Sequence, residues 1–261
     1  MRVIEQVAEG LLDGEIYAGD MSYIPHLNLV FSFISKNAST SLKTMLSQRL
    51  GPSAGYNLDP NPHWVVQSGF QNLHNIGAER MEQLLFDIAV PKVAVVREPF
   101  ERLKSAYFSR IRRWQENDFK ASGTQRQRLP LVGPIAGTSM GMHSVSIRKA
   151  ARFDPSFDDL VQYVCKTPTA LLDRHLAPQV QLIAADRLRY DLVGKYEYLA
   201  DFWTDLHELL GIDPRSAELI WRNRTHARLP LINEGELREQ VEERYAADYE
   251  LFSYPRQGRS S

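Results

Sequence analysis

The sequence predicts an α/β fold in which a central parallel sheet is flanked by helices. Residues 27–35 (LNLVFSFIS) and 91–97 (PKVAVVR) are apolar almost throughout rather than alternating, as strands covered on both faces are. Each is followed by a short polar turn and then a helical pattern. A third strand-like run, 190–197 (YDLVGKYE), precedes an amphipathic helix, so strands and helices alternate along the chain.

The elements follow in order. The first 16 residues, MRVIEQVAEGLLDGEI, read as a short amphipathic helix, and Gly19-Asp20 as a loop. Residues 23–26 lead into the first buried strand. A helix follows from about 41 to 48 and stops at Gly51-Pro52. Three prolines and Gly55 in 52–63 mark a surface loop, and 63–66 a short strand. Residues 71–76 are a polar segment. Residues 78–87 form a helix with Met81, Leu84, Leu85 and Ile88 on one face. After the second strand, Pro99 is well placed in the first turn of a helix running towards Trp114. Residues 115–150 read as a long lid or ligand-binding insertion, a length of loop that is often functional. Helices follow at 157–164, 199–210 (closed by Gly211) and 237–251. One domain over 1–261 accounts for all of it.

Composition narrows the class. The chain has 261 residues, 43% hydrophobic and 24% charged, with a net charge of −1, which is ordinary for a soluble protein with a real core. That balance points to neither a nucleic-acid nor a membrane partner. The one cysteine, Cys165, excludes a disulfide scaffold, fits a reducing compartment and reads as a small buried hydrophobe. With no apolar leader and no run near the ~20 residues of a membrane span, a cytoplasmic location is expected. Charge is uneven locally: residues 102–152 hold eleven Lys and Arg against Glu116 and Asp118, the balance of a cleft for an anionic ligand.

The chemistry concentrates after the two buried strands. The first ends in Lys36 and the small turn Asn37-Ala38-Ser39-Thr40-Ser41. A helix start offers backbone N–H groups and the positive end of the helix dipole, and the lysine adds a point charge, which together suit an anion. This is not a Walker A loop, which needs glycines and a later Lys. No apolar strand ends in an Asp that could hold magnesium, which counts against an ATP-dependent kinase. The second strand ends in Arg97, with Ser105 eight residues on in the following helix. Ligands of open parallel sheets sit at the carboxyl ends of strands, and arginine offers a fork suited to a terminal phosphate. Two anion sites without a metal site suit a nucleotide with phosphates at both ends.

Residues 34–43 (ISKNASTSLK) resemble the 5′-phosphosulfate loop of sulfotransferases that use 3′-phosphoadenosine-5′-phosphosulfate (PAPS), and 95–107 (VVREPFERLKSAY) resemble their 3′-phosphate motif. The match is nearest to the carbohydrate branch, of chondroitin and HNK-1 type with bacterial relatives. Residues 173–179 (DRHLAPQ) resemble its D-x-H-W-x-P-Q segment, 190–197 its Y-D-x-I-G-K-x-E segment, and 245–254 (YAADYELFSY) its Y-x-x-D-x-x-x-F-x-Y segment. Leu176 stands where that branch has Trp, and the cysteines of its animal members near 182–185 are not here.

The resemblance implies a P-loop-like three-layer fold and in-line transfer of a sulfuryl group from PAPS to a hydroxyl of a carbohydrate or related acceptor, without a metal. Lys36 would neutralise charge on the leaving oxygen. The loop Asn37, Ala38, Ser39, Thr40 and Ser41 would hold the 5′-phosphate, and Arg97 with Ser105 the 3′-phosphate. A histidine suits the general base near neutral pH: His74 first, then His175, with His63 a third. Glu197 is a lesser candidate for the base, and Arg224 and Arg228 are candidates to close over the nucleotide. The competing expectation is a non-catalytic nucleotide-binding protein.

Overall fold

The computed structural model describes residues 2–4, 15–17, 20–49, 70–112, 156–212, 231 and 233–257. They fall into two compact units. The first is built from the described parts of Met1–Gln6, Leu12–Arg97 and Gln179–Arg224, the second from those of Glu98–Pro178 and Thr225–Ser261.

The first unit is organised on a five-stranded sheet in the order β5-β3-β4-β6-β7, formed by β3 (Met21–Ile24), β4 (Leu29–Ser32), β5 (Gln71–Asn72), β6 (Lys92–Val96) and β7 (Leu192–Lys195). β4, β6 and β7 run parallel. β3 is antiparallel to both β4 and β5, so an antiparallel edge completes the parallel centre. Residues 23–26 are therefore more than a lead-in. The chain reverses through the 3₁₀ turn Pro25–Leu27 and Asn28, whose φ of 47° is one that Asn tolerates. Tyr23 closes this hairpin by donating from its hydroxyl to Asn28 Oδ1 at 2.9 Å.

Side chains alternate across the sheet, and the alternation builds three layers. Phe31, Val93 and Val95 face Leu42, Met45 and Leu46 of α1 (Ser39–Arg49) and Phe202, Trp203 and Leu206 of α6 (Leu199–Leu209). Met21, Tyr23 and Val30 face Met81, Leu84 and Leu85 of α2 (Ala78–Phe86). The sheet is thus flanked by helices on both faces, as the apolar runs predict. Gly194 allows β7 to meet α6: a Cβ there would lie 2.2 Å from the Phe202 ring.

Two expectations fail in this unit. The described ends of the segment expected as an amphipathic helix, 1–16, are strands: β1 (Arg2–Ile4) and β2 (Glu15–Tyr17) pair in parallel. Gly10 and Gly14 each cost a helix about 1 kcal/mol, while Val3, Ile4 and Ile16 favour extended backbone. Ile88 does not join the buried face of α2. The helix ends at Phe86, Asp87 turns the chain by accepting from the Ala89 N–H at 2.8 Å, and Ile88 is left exposed.

The described residues of the second unit are mainly helical. α3 (Pro99–Ala106) continues into a π-helical turn, Tyr107–Arg112, and α4 (Phe157–Lys166) opens on a capping box. Ser156 Oγ accepts from the Asp159 N–H at 3.1 Å, and the Ser156 N–H donates to Asp159 Oδ2 at 2.8 Å. The expected single helix at 237–251 is two, α7 (Glu234–Arg244) and α8 (Ala246–Leu251), parted at Tyr245, whose hydroxyl donates to the Leu176 carbonyl. Arg238 of α7 lies over the Phe100 ring at 4.2 Å. Cys165 is half-buried and burial pushes its thiol up, which suits an inert packing role.

Candidate functional site

Following Ser32 the chain leaves the sheet, and Ser35–Ala38 turn into α1. Lys36 and Ala38 both adopt left-handed backbone, at φ 75° and 59°. Neither is glycine, so each costs about 1 kcal/mol or more, and such strain persists only where the surroundings impose it. Here Asn37 imposes it. Its side chain is buried, and Nδ2 donates to the Val95 carbonyl at 2.8 Å and to Gln179 Oε1 at 2.7 Å. The Leu42 N–H donates to the Ala38 carbonyl at 2.9 Å. Ser39, Thr40 and Ser41 form the first turn of α1, at the positive end of its dipole. Ser41 is buried, and Ser39 and Thr40 are half-buried.

Arg97 sits one residue beyond β6 and meets this turn. Its Nη1 donates to the Lys36 carbonyl at 3.1 Å, and its guanidinium lies 4.2 Å over the Tyr196 ring. With the guanidinium held on two sides, its Nε–H is buried and has no partner among the described residues. A buried orphan donor on a fixed cation is a place for an anionic oxygen. The structure thus brings Lys36, Asn37 and Arg97 together, as the strand-end argument expects. It adds two residues that the strand-and-turn reasoning missed. Tyr196 was hidden because cation–π stacking has no sequence spacing. Gln179 had a signal, its place in the 173–179 segment, but no role attached to it.

Ser105 and His175 belong to the second unit. Ser105 is half-buried on α3. Glu98 caps that helix, accepting from the Glu101 N–H at 2.7 Å, and also receives the Tyr249 hydroxyl and Arg238. His175 is 4% exposed, within a turn that is tied at several points. Asp173 Oδ1 takes the His175 N–H at 2.7 Å and Nδ1 at 2.5 Å, while buried Arg102 donates to the carbonyls of Ala177 and Arg174 at 2.8 Å each. Burial alone would raise the Asp173 carboxyl, but the hydrogen bonds and charge of His175 outweigh it and hold it at about 2.

That depression carries a pH dependence. The carboxyl rises to 3.8 when unfolded, so the contribution is complete above that value and is lost as pH falls towards about 2. It amounts to about 2 kcal/mol, and Asp173→Asn should forfeit most of it at pH 7. Urea unfolding at pH 7 and pH 3 measures this: the gap between wild type and variant narrows at the lower pH. An equal gap at both refutes the pairing.

The backbone of His74 lies in the 3₁₀ turn Leu73–Asn75, and its side chain is outside the described residues, as are His63, the insertion at 115–150, Arg224 and Arg228. Glu197 is exposed beyond β7. Among the described residues, no group of three or more His, Cys, Asp or Glu could hold a metal ion, and no helix is long and apolar enough to cross a membrane.

A model of the sulfotransferase family matches residues 20–255. Carbohydrate sulfotransferase 12 of Mus musculus is 29% identical over 177 residues, covering 63% of this chain. The chain spans 40% of that relative's length. No solved structure matches the chain significantly.

Proposed function

We propose, from the premise that the chain belongs to the sulfotransferase family, that it moves a sulfuryl group from PAPS to a hydroxyl of a carbohydrate or related small acceptor. The observation that carries this reading is the contact between the Lys36 turn and Arg97, with the buried, unpartnered Nε–H of Arg97 beside it. Those donors fit a nucleotide bearing anionic groups at both ends. The acceptor class rests on the name of the mouse relative and on the motifs of the carbohydrate branch.

When bound, PAPS supplies an activated sulfuryl group whose leaving group is adenosine 3′,5′-bisphosphate. The chain supplies the rest. The N–H groups and hydroxyls of the turn entering α1, from Ala38 to Ser41, hold the 5′-phosphate, and Asn37 fixes that turn through its bonds to Val95 and Gln179. The Lys36 ammonium stabilises the negative charge that grows on the departing oxygen. Arg97 holds the 3′-phosphate with its fork, and Ser105, assigned from its motif alone, adds a hydroxyl. His74 takes the acceptor proton. It is placed ahead of His175 because it lies between the two phosphate motifs, where the family commonly carries its base, while the His175 ring is buried. A cytoplasmic location accompanies the reading.

The test compares thermal stabilisation by adenosine 3′,5′-bisphosphate with that by ATP and magnesium. A ligand at 100 times its Kd stabilises the folded state by about 2.7 kcal/mol, and we expect that shift with the bisphosphate only. An equal or larger shift with ATP and magnesium returns the chain to a kinase-like reading. His74→Ala should keep the bisphosphate shift and lower kcat by about 100-fold or more. Undiminished turnover in that variant moves the base to His175 or His63, and binding without turnover in the wild type, across a screen of acceptors with radiolabelled PAPS, leaves a non-catalytic binder.

A further inference from the structure

We propose that Gln179 is a positioning residue, one that holds the Lys36 turn and the Arg97 strand end in fixed register by standing in for a missing strand. The inference rests on the donor reading above. In β6 the odd-numbered residues bond towards β4, since the Pro91 carbonyl accepts from the Val30 N–H at 2.9 Å. The even ones bond towards β7, since the Lys92 carbonyl accepts from the Asp191 N–H at 2.8 Å. β4 stops at Ser32, opposite Ala94. The carbonyl of Val95 and the N–H and carbonyl of Arg97 therefore project past its end, where no strand continues. An edge of this kind needs partners when buried.

Two side-chain amides supply them. Asn37 Nδ2 donates to the Val95 carbonyl at 2.8 Å. Gln179 takes both ladder groups of Arg97: Oε1 accepts from its N–H at 2.9 Å and Nε2 donates to its carbonyl at 2.8 Å. The same Oε1 accepts from Asn37 Nδ2 at 2.7 Å, which joins the two amides. Gln179 has no exposed surface and lies just after Pro178, in the first turn of the short helix α5 (Gln179–Leu182). The pairing needs one donor and one acceptor on the same side-chain group, at the reach of a backbone neighbour, which a primary amide provides. β4 is thereby free to end early, so that its chain can form the anion turn, while the end of β6 stays ordered. Gln179 touches neither reacting atom; it acts through Asn37 and the backbone of Arg97.

The test uses the full chain and titration calorimetry with adenosine 3′,5′-bisphosphate, alongside KM for PAPS and for acceptor. Gln179→Met keeps the volume and removes all three bonds; Gln179→Ala is the second variant should one fold poorly. We expect bisphosphate affinity to fall about 10- to 100-fold, the scale of a misplaced binding group, and KM for PAPS to rise with it while KM for acceptor stays within about twofold. Combining Gln179→Met with Asn37→Ala should cost less than the product of the two single losses, because they share one network. A residue with only a packing role lowers the folded fraction and leaves the affinity of the folded protein and both KM values unchanged. That result, or independent losses in the double variant, overturns the role while the donor reading stands. No bisphosphate binding by the wild type overturns both.

Discussion

Alanine in place of Lys36 lowers kcat by about 100- to 1,000-fold and leaves the melting temperature within about 2 °C of the wild type. The magnitude is that of removing one preorganised group aimed at charge that develops in the transition state. The small thermal effect follows from position. Lys36 is half-buried on a turn, and its carbonyl, which takes the Arg97 Nη1 bond, survives the substitution. The left-handed backbone at φ 75° is as strained for alanine as for lysine, so the turn gains nothing by the change. Surface substitutions of this kind move stability by about 0.5 kcal/mol, which sets the 2 °C. Lys36→Arg tests charge against placement. It keeps a cation but spreads it over a planar fork with a different reach, and should recover only part of the lost rate. The measurements are steady-state turnover and bisphosphate affinity on the same preparations. Turnover within threefold of wild type would remove Lys36 from the chemistry; a loss confined to KM for PAPS would make it a ground-state binding group instead.

How much of this was legible in the sequence depends on the kind of signal each residue gives. Periodicity carried the sheet. The unbroken apolar runs that became β4 and β6 are what a doubly covered strand requires, and the alternation of Phe31 with Val30 across the two faces explains why neither run could alternate in polarity. Strand-end logic singles out Lys36 and Arg97, and the structure brings the Arg97 guanidinium to the Lys36 carbonyl. The antiparallel edge was not legible. β3 is short, and its hairpin depends on Asn28 tolerating positive φ, which the Pro25-His26 pair obscured. The N-terminal strands are hidden in the sequence by an amphipathic pattern that spans the two glycines. The Asn37–Gln179 link was invisible for a different reason. A hydrogen bond between side chains 142 positions apart leaves no local trace, and the need for it arises only when β4 is seen to stop short of β6. Resemblance of the 173–179 segment marked Gln179 as part of a pattern but gave no physical reason for it; the ladder geometry does.

Replacing Arg97 with alanine should weaken adenosine 3′,5′-bisphosphate binding by about 100-fold while changing affinity for adenosine 5′-phosphate by less than about threefold. A fork bonded to a phosphate contributes about 1.5–3 kcal/mol for each charged hydrogen bond, and 100-fold is about 2.7 kcal/mol. The second ligand makes the experiment specific. Arg97 also donates to the Lys36 carbonyl, so its loss could loosen the 5′ loop as well as delete the 3′ contact. Loosening weakens both ligands; deletion weakens only the one with a 3′-phosphate. The loop should hold, because its other ties survive: Asn37 still bonds Val95 and Gln179, and Gln179 still bonds the backbone of residue 97, which alanine retains. Arg97→Lys should fall between wild type and alanine. The cation is kept, but the planar stack on Tyr196 and the Nε–H are both lost. Equal losses for the two nucleotides would show that Arg97 acts through the turn alone and that the 3′-phosphate is recognised elsewhere.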